Sequence, residues 1–171
     1  MKEAKLSRLG KEAFVLNNLY KLRIGDEDFY EFRKNYDLGK ISLNSEAAVI
    51  WSHFRRLEGE RSLDLVKFNV GEVVLKFNDK SETSLGTVIK QSKKRELKFC
   101  DSEVAFYVAV KMLKDNDISN SIHIPTKING SLRVFLVERD SGNDIRVDLH
   151  DDGLVTKKSP FGKDEEFLFD K

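Results

Sequence analysis

The sequence predicts an α+β fold: a three-helix N-terminal segment over residues 1–61, then a mainly antiparallel sheet with one buried helix over residues 62–171. Three observations carry that expectation. Apolar residues recur at three- and four-residue steps through the first sixty positions, the period of one helix face. From Ser62 the period falls to two, the mark of strands with one wet face. The run Val104–Val110 is apolar all round, which suits a helix lying inside the molecule.

In chain order, Leu6, Leu9, Ala13, Leu16 and Tyr20 define the first helix. Gly25 ends it, and Asp26 is placed to cap the next. In the second helix Phe29, Phe32 and Tyr36 share a face, and Gly39 closes it. The third starts at Asn44 or Ser45, turns Ala47, Ile50, Trp51, Phe54 and Leu57 inward, and stops at Gly59. Val66–Val70 and Val73–Phe77 then alternate about Gly71 as a hairpin. Thr83–Lys90 and Glu96–Cys100 read as a second strand pair joined by residues 91–95. Asp101 or Ser102 caps the buried helix, which runs to about Lys114; a buried strand is the alternative. Leu132–Leu136 and Ile145–Leu149 form a hairpin around Asp140-Ser141-Gly142-Asn143. Asp151-Asp152-Gly153 is a turn, residues 157–164 are irregular, and Glu166–Phe169 is an edge strand.

Composition narrows the function classes. Thirty basic side chains stand against 29 acidic ones in 171 residues, which excludes a histone-like polycation and an acidic tail. Twelve Phe within a 40% apolar chain are enough for a core. The longest apolar run is seven residues, far below the roughly 20 of a membrane-spanning helix. The first residues lack the apolar stretch of a signal peptide, and the single cysteine cannot form an internal disulfide, so a cytoplasmic protein is expected. The near-neutral total is uneven. Residues 1–100 hold 20 basic and 15 acidic side chains, and residues 101–171 hold 10 and 14.

Two stretches suit nucleic acid. The second and third helices, joined by Leu38–Ser42, have the spacing of a helix-turn-helix whose Arg55 and Arg56 would meet guanine edges or phosphates. With the strand pair 63–77 after it, this resembles a winged helix in order of elements. The alternative is a helical cap packed on the sheet, with both arginines solvated. The second stretch is Lys90, Lys93, Lys94, Arg95 and Lys98, five cations within nine residues, which a hairpin tip would project toward phosphates. Lysines at such tips also serve solubility and blunt strand edges.

Other constellations carry less. Asp79 and Glu96-Leu97-Lys98 look like the Asp…Glu-x-Lys arrangement of the restriction-endonuclease-like superfamily, which implies a divalent cation between two carboxylates and a lysine on the attacking water. Lys93-Lys94-Arg95 stands where that pattern has an apolar strand. Asp148–Gly153 superficially resembles the start of a calcium loop, with His150 in place of an oxygen ligand. Cys100 sits before a helix, yet Asp101 beside it disfavours a thiolate, so a buried structural thiol is expected. Glycine-rich phosphate loops are absent. The resulting expectation is a small non-enzymatic binding protein, a regulator, accessory or inhibitor that engages nucleic acid or a nucleic-acid-binding machine. It has no assigned catalytic residue, metal or cofactor. A Mg²⁺-dependent nuclease and a pure protein-interaction module are the alternatives.

Overall fold

A computed structural model describes residues 19–54, 60–71, 84–116, 118–151, 161 and 164–171. The first strand, β1 (Leu19–Ile24), leads into α1 (Asp26–Asp37), β2 (Ile41–Leu43), α2 (Ser45–His53) and β3 (Arg61–Asn69). Next come α3 (Leu85–Lys94) and α4 (Val104–Lys114). The chain closes with β4 (Ser121–Ile128), β5 (Ser131–Arg139), β6 (Ile145–Asp151) and β7 (Glu166–Asp170). All seven strands join one mixed sheet in the order β1-β3-β7-β4-β5-β6-β2. Among the described strands β2 with β6 and β4 with β7 run parallel, and the other pairs are antiparallel.

The broad α+β class holds, but the N-terminal three-helix arrangement does not. Residues 19–24, expected in the last turns of a first helix, form a strand paired with β3. Leu22 and Ile24 enter the core while Lys21 and Arg23 face water, a period of two within four residues. That alternation is too short to compete by pattern with the helical period upstream, whose positions Leu6–Leu16 lie outside the described residues. The second and third expected helices are present as α1 and α2. Between them the supposed turn contains β2, a strand paired with β6.

Of the segment 83–90, expected as a strand, residues 85–90 belong to α3 and Ser84 caps it, while residue 83 lies outside the described residues. Leu85, Val88, Gln91 and Ser92 are buried at helical steps, and the Ser84 side chain accepts a hydrogen bond from Thr87 N at 3.3 Å to start the helix. The β-branched Thr87, Val88 and Ile89 favour a strand locally, but packing against the sheet decides otherwise. The strand at 166–169 is real, yet β7 lies between β3 and β4 and is not an edge. The expected partner strand at residues 73–77 lies outside the described residues.

Helices cover both faces. Against one, α1, α2 and α4 pack on Leu22, Ile24, Leu65, Ile124, Phe135, Val137 and Val147. Here α4 is buried nearly all round, as its composition predicts, and Arg139 donates to the carbonyls of Met112 and Asp115 to close its C-terminus. An aromatic stack of Phe32, Trp51 and Phe106 joins the three helices, with Phe32 and Trp51 centroids 4.3 Å apart. On the other face α3 lays Leu85 and Val88 over Phe68, Val134, Phe167 and Phe169, together with Phe161. Each such side chain contributes on the order of 1.5–3 kcal/mol by leaving water.

Strands β4 and β7 touch only at Ile122–Glu166 and His123–Phe167, then fork. Residues 98–100 fill the fork, with Lys98 bridged to Asp170 and Cys100 to Thr126. Pro125 is tolerated inside the sheet for this reason. Its carbonyl accepts from Cys100 N at 3.2 Å, so its nitrogen, on the same side of the strand, points into the fork and not at β5. No helix among the described residues is long and apolar enough to cross a membrane.

Candidate functional site

The basic stretch divides once it is folded. Lys90, Lys93 and Lys94 project from the outer face of α3, opposite the buried Leu85, Val88, Gln91 and Ser92. Lys93 and Lys94 occupy the helix's last turn, where cations complement the negative end of the dipole. Arg95 is turned inward. Its Nη1 donates to the Gln91 carbonyl at 3.1 Å and to Gln91 Oε1 at 3.4 Å, and its guanidinium lies 5.0 Å from the centre of the Phe68 ring. It therefore closes the helix end and covers an aromatic of the core. Lys98 goes to the other side. It shares strand parity with Cys100, which lies in the core under α4, whereas the intervening Phe99 packs with the α3 core. In its place Lys127, with Nζ 5.7 Å from the Phe99 ring centre, stands on the α3 side of the sheet. Among the described residues no carboxylate lies within ion-pair distance of Lys90, Lys93 or Lys98.

The α1–β2–α2 unit departs from a DNA-reading helix pair. Asn44 Oδ1 accepts from Ala47 N at 2.9 Å and from Leu149 N at 3.1 Å, and its Nδ2 donates to the Leu149 carbonyl at 2.9 Å. One side chain thus caps α2 and ties it to β6. Glu46, Val49, Ser52 and His53 of α2 are exposed, and Arg55 and Arg56 lie outside the described residues. Where a wing would project, β3 is held between β1 and β7.

Glu96 lies in an exposed turn with φ 60°, not on a strand, and Asp79 lies outside the described residues. No group of three His, Cys, Asp or Glu suited to a metal occurs among the described residues. In the Asp148–Gly153 stretch, Asp148 pairs with Arg146 Nε at 3.0 Å and Asp151 with Arg133, which commits both carboxylates; Asp152 and Gly153 are outside the described residues. Cys100 is buried and its Sγ donates to the Leu168 carbonyl at 3.5 Å. Burial first, then Asp170 and Asp101, push its thiol well above the usual range, so it is a poor nucleophile.

Several polar groups not singled out by sequence are buried. His123 on β4 stacks on Phe167 at 4.9 Å and meets the edge of Phe161 at 5.1 Å. Its Nδ1 has no partner, and burial lowers its pKa to about 4. The alternation Ile122-His123-Ile124 was the available signal, since it places the imidazole on the face opposite two core isoleucines. The Asp28 carboxylate, also buried, accepts from Gly25 N at 3.2 Å and faces Lys111 and Lys114 Nζ at 3.8 and 3.9 Å. Tyr107, on the same face of α4 as Lys111 and Lys114, has a buried hydroxyl without a partner. Its ionisation is pushed upward by burial and then by Glu103 and Asp28.

Comparison with protein-family models, curated proteins and solved structures finds no match. Function is therefore argued from the chain's own chemistry.

Proposed function

We propose that this chain is a small non-enzymatic binding protein that engages nucleic acid through the outer face of α3. The observation that carries the reading is the set Lys90, Lys93 and Lys94 on one solvent-facing side of that helix, with no described carboxylate paired to Lys90 or Lys93. Lys127 extends the same side of the sheet. Lysines of this kind contact phosphates as point charges, so the binding is independent of base sequence and falls steeply with salt. The aromatic rings nearby among the described residues, Phe68 and Phe99, are covered by Arg95 and Lys127, so neither offers a platform for stacking bases. Duplex is favoured over single strands on that ground. A regulator, accessory or inhibitor of a nucleic-acid-binding machine is the biological role that suits a module of this size.

Binding to random duplex and to single-stranded DNA across a salt series tests this reading, with and without Mg²⁺. The triple substitution Lys90→Ala, Lys93→Ala, Lys94→Ala should lower the slope of log K against log salt by about 0.9 for each phosphate no longer neutralised, or roughly 2–3 in all. Arg95 is left intact in that variant because it closes α3. Absence of affinity at low salt, or an unchanged slope in the variant, would remove the proposal. Mg²⁺-dependent cleavage abolished by Glu96→Ala would replace it with the nuclease reading.

A further inference from the structure

On the face away from α3, the end of α2, the start of α4 and the β4–β5 turn leave an open cleft of about 610 Å³. Its floor is apolar: Ile50, Phe54 and Ile128 are half-buried against the main core, and Val49 at the rim is 56% exposed. Helix α2 ends at His53 and the chain turns extended at Phe54 (φ −70°, ψ 126°). The β4–β5 hairpin reverses tightly at Asn129 (φ 51°) and Gly130 (φ 81°), two left-handed residues in succession. The wall is rigid, because the Phe54 ring is stacked on Trp51 at 5.4 Å and on Phe29 at 5.7 Å.

Among the described residues Glu103 is the carboxylate in the cleft's lining, which also includes the polar side chains of His53, Ser102 and Asn129. Glu103, at the head of α4, is mostly buried, and burial raises its pKa. Arg61 Nη2 pairs with it and also lies 3.3 Å from Asp101, so among the described residues two carboxylates share this one guanidinium. An anion is disfavoured there by Glu103. A neutral apolar ligand would strip water from the carboxylate and return nothing for it.

We propose that this cleft binds a small organic amine, with an apolar body over Val49, Ile50, Phe54 and Ile128 and a protonated nitrogen at Glu103. The volume falls within the range of about 300–1,000 Å³ usual for small-molecule sites. The site is separate from the α3 surface and does not depend on nucleic-acid binding.

Trp51, the chain's sole tryptophan, stacks directly on Phe54 and reports occupancy by its fluorescence. Phenethylamine and n-hexylamine are the probes, and 2-phenylethanol is the neutral control. The amines should give saturable changes with Kd of about 1 mM or tighter, and the alcohol should bind at least about tenfold more weakly. Glu103→Gln should weaken the amines by a similar factor. Val49→Lys, at an exposed position that does not threaten folding, should do the same by placing a cation at the rim. No saturable change with either amine, equal binding of the alcohol, or unchanged amine binding by Val49→Lys would overturn the assignment.

Discussion

His123 makes the fold acid-sensitive in a way that can be measured. Its ring is held between Phe167 and Phe161, and burial is the main cause of its fall from 6.5 to a pKa of about 4. The hydrogen bond to the Glu166 backbone works the other way, and His150 adds to the depression. Above pH 6.5 the imidazole is neutral in both folded and unfolded chains, and its contribution is fully present. As pH falls from 6.5 toward 4 the unfolded chain takes up a proton that the folded chain refuses, so stability is lost; below 4 both are protonated and the loss stops. The interval between the two values corresponds to on the order of 3 kcal/mol. Glu103 and Glu165, whose pKa values are raised by burial, act with the opposite sign as pH falls, so the comparison must be made against a variant. His123→Phe keeps a ring on Phe167 and removes the titration. Any overpacking cost is pH-independent and cancels in the slope. Urea unfolding followed by Trp51 fluorescence at pH 7, 5.5 and 4.5 should show wild type losing about 2.4 kcal/mol relative to the variant over that range. Parallel stability curves would refute the burial argument.

Two further substitutions test the local geometry. Asn44→Ala should cost about 2–3 kcal/mol, since it removes the α2 cap and two hydrogen bonds to Leu149 at once. Asn44→Asp should recover the cap and the bond from Leu149 N but not the donation to the Leu149 carbonyl, and comparing the two variants by urea unfolding checks the split. Glu96→Gly should stabilise the fold by about 0.5–1 kcal/mol, because φ 60° strains any side chain bearing a Cβ. The same change removes an acid beside the α3 lysines and should tighten polyanion binding, read as a lower half-saturation in the same salt buffer.

What the sequence made legible was decided by how many residues carried each pattern. Helix α4 and the β5–β6 hairpin were plain because an all-apolar run and two alternating segments around a Gly-Asn turn leave few alternatives. Strand β4 was missed even though Asn129-Gly130, a strong turn signal, stands directly between it and β5. Pro125 interrupts its pattern, and the fork filled by residues 98–100 explains why a proline fits there. Both β1 and β2 are short and draw their stability from pairing with β3 and β6, partners distant in sequence, so neither could be read locally. For the candidate site, the cluster of cations was visible but its division was not. A strand through 83–90 would have put Lys98 with the other lysines, whereas a helix there presents Lys90, Lys93 and Lys94 together and leaves Lys98 across the sheet.

The helix itself supplies the argument that separates function from scaffolding at this surface. Lys93 and Lys94 have a structural reason to be where they are, because cations in the last turn are favoured by the dipole. Lys90 has none: it precedes the last turn, Gly86 stands one turn before it, and Lys94 follows at i+4 as a like charge. Such a pair destabilises a helix by a few tenths of a kcal/mol. A position that costs the helix stability is the one where a demand from outside the fold is easiest to detect. Lys90→Glu converts the repulsion into a Glu-to-Lys pair of the favourable orientation and should raise stability by about 0.5 kcal/mol. The same substitution should weaken duplex binding and reduce its salt slope. Opposite signs in the two measurements mark Lys90 as a binding residue. A gain in stability with duplex binding unchanged would show instead that the lysines of α3 only keep this face of the helix solvated.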